Sequence, residues 1–446
     1  MRKTLALVFA ILFAALTFAG CANTTPAATT DQAAAADTAA SSTENITLTL
    51  WTGYPEFDAW LAQVSQAYMA DHPNVKIECT SFDLRDEETK LSVALPAGTA
   101  ADIVLIDGTW INRYVEGGYV RKAPQDVTDM IADRNIFSEA VASGVVVNGD
   151  TYAIPTLQST TAIYYNKDVF AEAGLTAADA PKSLDDVRTL ADKLAKFDDT
   201  GTLTRSGIAL RIAGGGSGIG EKFWLWMMQE GGSIVKEVSD GKFVANYANE
   251  AGLATLRFYV DCLYGDKTCN FDIGTDASGF EAGQTAMFVR EQWVIPDIAA
   301  NAPDLNYGCL PLWNANLFMC YNWYVTSSEK DTAKVAAAWD FIKYMVEPEN
   351  AVLQAQMTGW FPGRSDVDLP VDQEILDAFY NPDQTLYMYP LLSCNDELQT
   401  KFAEKLTTVG FATPAFYGDD AAMMAFLEEC EAETNAILQE NGVYGG

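Results

Sequence analysis

The sequence predicts an α/β fold built on parallel strands and spread over more than one domain. Strand-like and helix-like patterns alternate from Ile46 onward, as βαβ units require. Ile103-Val104-Leu105-Ile106 is apolar without alternation, the pattern of a central strand covered on both faces. The chain has 446 residues, and the 426 that remain once the first 20 are set aside exceed what one ordinary core fills.

Residues 22–44 are almost entirely Ala, Thr, Ser, Asp and Gln, with no large apolar side chain to offset the entropy of ordering. A disordered tether is expected over 21–44. Ile46, Leu48 and Leu50 then alternate with Thr47, Thr49 and Trp51 at the period of a strand. Phe57, Trp60, Leu61, Val64 and Tyr68 share one helical face, and that helix must stop before Pro73. A strand through Val75 and Ile77, a helix around Leu91–Leu95 and the buried strand at 103–106 complete a parallel unit with right-handed crossovers. Its ligand crevice should lie beyond the strand ends, at Trp51-Thr52-Gly53-Tyr54 and Asp107-Gly108. A second unit starts near Asn148–Pro155. Ser183 and Asp186 resemble a capping box ahead of the stripe Leu184, Val187, Leu190, Ala191 and Leu194. Val335, Ala338, Trp339, Ile342 and Met345 form a later stripe.

Charge narrows the function classes. The first 20 residues hold two of the 28 Lys+Arg and none of the 61 Asp+Glu, leaving 26 against 61, a formal −35. Such a surface repels nucleic acid and anionic lipid headgroups. Seven cysteines follow Cys21, an odd number that cannot all pair within the chain. Cys262 and Cys269 flank a short polar loop and are the disulfide candidates, with buried free thiols as the alternative. No CxxC occurs and His72 is the only histidine, so neither a zinc site nor a Ser–His–Asp machine fits. Gly214–Gly220 lacks dinucleotide and P-loop spacing and reads as a flexible loop. No metal and no cofactor is expected.

Arg2 and Lys3 precede an apolar run over Leu5–Ala19 that suits a signal-peptide core and is too short to span a bilayer. Phe18-Ala19-Gly20-Cys21 then resembles the lipobox of bacterial lipoproteins, with Phe18 where an aliphatic residue is usual. The resemblance implies loss of residues 1–20, a lipidated Cys21 and an extracytoplasmic protein held at the cell membrane through that lipid alone. A plain secretory peptide is the alternative.

Several landmarks follow in order. Gly149–Pro155 with Tyr164-Tyr165-Asn166-Lys167-Asp168-Val169-Phe170 leads to Ala173-Gly174-Leu175 and Pro181–Leu184. Gly231-Gly232, Phe280–Met287 with Trp293, and Ala338–Ile342 come after. Together, from about residue 45 to 365, they resemble the sugar-type extracellular solute-binding proteins of ABC importers. The likeness fades over the last eighty residues. It implies two α/β lobes of the periplasmic-binding-protein type joined by a multi-crossing hinge. Lobe one would be 45–156 plus 320–370, and lobe two 157–319 plus 371–446. It further implies a monomeric binding protein, not an enzyme, that closes on a carbohydrate (an oligosaccharide) and delivers it to the importer's permease subunits.

Sugars present flat C–H faces ringed by hydroxyls, so a site for them needs aromatic plates and hydrogen-bonding carboxylates or amides. Trp51 and Tyr54 stand at the first strand's crevice end, and Asp107 at that of the buried strand, where its other reading is a helix cap. Trp224 and Trp293 match positions where the family stacks a sugar. Gln158 follows the first crossing, and Tyr321 and Trp323 lie near the second. Glu291, Trp360 and Arg364 complete the candidates, while Trp60 and Trp339 are read as core. Two rival classes remain: a lipid-anchored glycoside hydrolase using a pair of carboxylates, and an adhesin or structural lipoprotein without a small ligand. With 61 acids, two lying near one another distinguish nothing.

Overall fold

Ile46, Leu48 and Leu50 pack inward from the first strand, β1 (Ile46–Thr52), and the chain then alternates helix and strand. The computed structural model describes residues 45–446 except 275, 382 and 391. The segments expected to be a signal peptide and a tether, with Cys21 between them, lie outside the described residues. α1 (Asp58–Asp71) buries Trp60, Leu61, Val64 and Tyr68 and ends at His72, ahead of Pro73. β2 (Val75–Ser81), α2 (Leu84–Ala97) and β3 (Ile103–Asp107) follow in the predicted order.

Further along come β4 (Ala153–Ser159), β5 (Thr161–Asn166), α3 (Leu184–Leu194), α4 (Gly218–Gln229) and α5 (Glu250–Val260). Ser183 caps α3 by accepting from the Asp186 N–H at 3.0 Å, while the Asp186 carboxylate turns to the Lys182 N–H, so the capping box closes on one side only. β6 (Met287–Glu291), β7 (Tyr307–Leu310) and β8 (Met319–Val325) are next. The remainder is α6 (Thr332–Met345), α7 (Pro348–Thr358), β9 (Phe361–Pro362), α8 (Gln373–Phe379), α9 (Asn395–Lys405) and α10 (Asp420–Glu440).

One six-stranded sheet has the order β9-β4-β8-β3-β1-β2. Parallel pairing holds for β1 with β2 and with β3. The rest of this sheet is antiparallel, because β8 inserts between β3 and β4 and opposes both. A second sheet, β6-β5-β7, is antiparallel throughout. Trp60, Trp226 and Trp323 are wholly enclosed, and Trp339 nearly so.

Thr160 alone separates β4 of the first sheet from β5 of the second. The crossing is buried and stitched by side chains. Ser159 Oγ donates to Gln292 Oε1 at 3.0 Å, Thr160 Oγ1 to the Phe379 carbonyl at 2.8 Å, and the Thr161 N–H to Asn316 Oδ1 at 3.0 Å. No described helix is long and apolar enough to cross a membrane.

Candidate functional site

The first strand ends in Thr52, whose hydroxyl accepts from the Tyr54 N–H at 3.2 Å and turns that ring toward a cleft of about 380 Å³. Gly53 makes the turn possible, since a Cβ there would sit 2.5 Å from Glu87 Oε2 and 3.0 Å from the Leu84 backbone. Glu87 lies buried behind the cleft, and burial, opposed in part by the Gly53 N–H, raises its pKa to about 8.

Tyr54 meets Tyr321 edge-on at 5.3 Å between centroids and Trp360 at 6.2 Å, and Tyr321 meets Trp360 at 5.8 Å. These three rings line one side of the cleft. The Trp360 Nε1–H donates to Glu56 Oε1 at 3.1 Å, fixing the indole in place. Asp107 serves both roles foreseen for it, because it faces the cleft and accepts from the Thr109 N–H at 2.8 Å as the cap of a short turn. Burial raises its pKa to about 6, with the Thr109 hydrogen bonds pulling the other way.

The opposite side is built on charge. Lys222 of α4 is buried and forms an ion pair with Glu291 at the end of β6 and with Glu221 at 2.6 Å. Burial pushes the Glu291 pKa up, but the charges of Lys222 and Arg290 outweigh it and hold this carboxyl well below the usual carboxylate range. Glu291 Oε2 also accepts from the Trp293 indole N–H at 3.2 Å. Arg290 lies over the Trp293 ring at 5.3 Å and donates through Nε to Asp276 at 2.6 Å. Arg211 lines the same wall. Burial, together with the neighbouring charge of Arg290, lowers its pKa from the ordinary arginine value.

Six candidates from the sequence thus meet at the cleft: Tyr54, Asp107, Glu291, Trp293, Tyr321 and Trp360. Five do not. Trp51 lies on the sheet face covered by α2, edge-on to Phe82 at 5.8 Å with the Lys90 ammonium 4.6 Å above its ring. Trp323 pairs with Leu105, two residues along β8 from Tyr321, and that roughly 7 Å step along a strand takes it into the sheet's interior. Gln158 donates to the Pro362 carbonyl at 3.1 Å and joins β4 to β9. Arg364 pairs with Asp366 at 2.6 and 2.7 Å and with the Val346 carbonyl. Trp224 is 4% exposed and packs against Tyr389, 4.9 Å away between centroids, and of the two rings Tyr389 lines the cleft.

Sequence reasoning missed Tyr389, Asn395, Asp396 and Gln399, which come from the last eighty residues where the landmarks fade. It also missed Arg85, Glu88, Arg211 and Arg290, since charged residues at these positions have no distinguishing spacing. Ser217 and Gly218, from the glycine-rich loop, lie on the wall and were the available signal for Arg211 beside them. Cys262 and Cys269 are free buried thiols rather than the bridge proposed for them. Burial raises the Cys262 pKa to about 12, and the backbones of the two residues meet through the Cys269 N–H and the Cys262 carbonyl at 3.3 Å.

Residues 63–378 match the family model for bacterial extracellular solute-binding proteins. The maltotriose-binding protein of Pyrococcus abyssi is 23% identical over 320 residues, covering 68% of this chain and 63% of that protein. Among solved structures, the GacH receptor of Streptomyces glaucescens, described unliganded and with acarbose, superposes with a TM-score of 0.73 at 21% identity. That match covers 90% of this chain and 99% of the receptor. An ABC-transporter solute-binding protein of Thermotoga lettingae bound with α-D-tagatose gives 0.72 at 20% identity, over 88% and 100% of the two chains. The fold is accordingly the two-lobed one of periplasmic binding proteins.

Proposed function

We propose, for a chain that belongs to the bacterial extracellular solute-binding protein family, that it is the substrate-binding component of an ABC importer specific for an oligosaccharide. The lobes are taken as roughly 45–156 plus 320–370 and 157–319 plus 371–446, the first bound being drawn on to Thr160, where the chain leaves the six-stranded sheet. The ligand lies between them, the lobes close on it as a population shift, and the closed form delivers it to the permease. A lipid on Cys21 keeps the body near the membrane without constraining it.

One observation carries this reading: the cleft is lined by aromatic rings and by charged hydrogen-bonding groups together. Tyr54, Trp110, Trp293, Tyr321, Trp360 and Tyr389 offer stacking surfaces for pyranose rings, and Asp107, Glu221, Glu291 and Gln399 ring them with acceptors. The maltotriose-binding relative and the sugar-bound structural neighbours agree with it. The work is binding rather than turnover, in keeping with a family of binding proteins, and the glycoside hydrolase alternative has no support from these relatives.

A thermal-shift screen against an oligosaccharide panel tests the proposal. A true ligand at 100 times its dissociation constant stabilises by about 2.7 kcal/mol. Stabilisation by peptides or amino acids, with none by any saccharide, would refute it.

A further inference from the structure

Acids outnumber bases 61 to 28 in this chain, so a guanidinium that forms no ion pair stands out. Arg85, Arg134, Arg188, Arg205, Arg257, Arg290 and Arg364 each pair with an acid. Arg121 donates to backbone carbonyls, and Arg113 rests on the Trp110 ring at 5.4 Å. Arg211 has no acceptor and no ring partner among the described residues, yet it is half-buried in the cleft wall.

The carboxylates around it are engaged elsewhere. Arg290 holds Asp276, and Lys222 holds both Glu221 and Glu291. Gly218 provides the bed on which the guanidinium lies, since a Cβ there would stand 2.9 Å from the Arg211 Cζ. The result is a planar fork of donors on the cleft wall, close enough to Asp276, Glu221 and Glu291 to feel their charge but bonded to none of them. Such a fork matches the two oxygens of a carboxylate or phosphate.

We infer that the saccharide bound in this cleft carries an anionic substituent, a carboxylate or a phosphate, and that Arg211 receives it. The inference rests on the oligosaccharide reading and narrows it. The aromatic rings hold the sugar faces, and Arg211 fixes which end of the ligand enters. The chain's net charge opposes an approaching anion, but repulsion between exposed charges is screened beyond about 8 Å at physiological ionic strength. The carboxylates that oppose the anion at close range are those of the cleft, and of these Glu221 and Glu291 are already neutralised in part by Lys222, which leaves Arg211 as the unpaired cation that meets it.

Calorimetry on the full mature protein with digalacturonate, trigalacturonate, glucose 6-phosphate, maltotriose and mannobiose tests this. At least one anionic member should bind more tightly than both neutral ones, and whether it is a uronate or a phosphate identifies the substituent. R211Q should lower the ratio of anionic to neutral affinity by about 10- to 150-fold, the range expected for losing one charge-assisted contact. R211K keeps the charge without the fork and should fall between. Melts of the unliganded variants separate lost contact from lost fold. Binding confined to maltotriose or mannobiose, or an unchanged ratio in R211Q, overturns the inference and leaves the oligosaccharide reading standing. No binding by any of the five removes that reading as well.

Discussion

Replacing Lys222 by methionine strips the ammonium from two carboxylates while keeping the volume of the side chain. The side chains of Lys222 and Glu291 are 3% and 6% exposed, so Glu291 is left as a buried charge. Removing one partner of a buried pair costs about 3–5 kcal/mol. Arg290 remains 3.5 Å from Glu291 and the Trp293 N–H stays bonded to it, which places the expected loss near the lower end, about 3 kcal/mol. Urea unfolding near neutral pH reads it directly. The sign with pH follows from the depressed pKa of Glu291. In the parent, its contribution is present above the unfolded carboxyl value of about 4.3 and is lost as pH falls through the lower folded value. In the variant the penalty falls on the ionised form, so the deficit is widest near pH 7 and narrows below about pH 4 as Glu291 protonates. Lys222→Met with Glu291→Leu should recover most of the loss, because both buried charges are then gone. A deficit under about 0.5 kcal/mol, one that ignores pH, or a double variant that merely adds the two single effects would refute the reasoning.

Trp293→Ala should weaken ligand by about five- to 150-fold with a modest effect on melting, whereas Trp224→Ala, packed against Tyr389, should cost about 3–5 kcal/mol of stability; calorimetry and melts distinguish them. Cys262 and Cys269 should resist alkylation in the native protein and react once it is unfolded, and a linked peptide in non-reducing mass mapping would contradict this. Cys21→Ala should release the protein from membranes on fractionation, and retention would count against the lipid anchor. Small-angle scattering should give a smaller radius of gyration with saturating ligand, and an unchanged profile would remove lobe closure.

The first unit was legible because its contacts are local: β1 to β3 and the helices between them fall where periodicity and Pro73 put them. β8 was not, since Met319–Val325 is buried along its whole length and gives no alternation to say which strands it joins. The cleft was legible where a strand end points at it, as at Tyr54 and Asp107, and where the chain crosses back, as at Tyr321. It was not legible where one ring packs against another. Nothing near Trp224 announces that Tyr389, 165 positions later, will take its place on the cleft. Trp51 misled because a strand's last residues alternate between the sheet faces, and only the turn at Gly53 redirects the chain into the crevice.

The insertion of β8 between β3 and β4 bears on when this protein is able to fold. The six-stranded sheet lacks its central strand until residue 325 has been synthesised and its edge strand β9 until residue 362, and its surroundings depend on contacts just as distant. Trp60 bonds the Asn350 carbonyl across 290 residues of chain, and Trp360 bonds Glu56 across 304. Pairings this distant must close long loops before they stabilise anything, so the chain should fold slowly and late. For an exported polypeptide, that delay keeps most of the precursor threadable while it is still being made. The cleft also lacks its Tyr389 and Gln399 wall until nearly the end of synthesis, so ligand present at the site of synthesis has no finished pocket with which to trap the chain on the wrong side of the membrane.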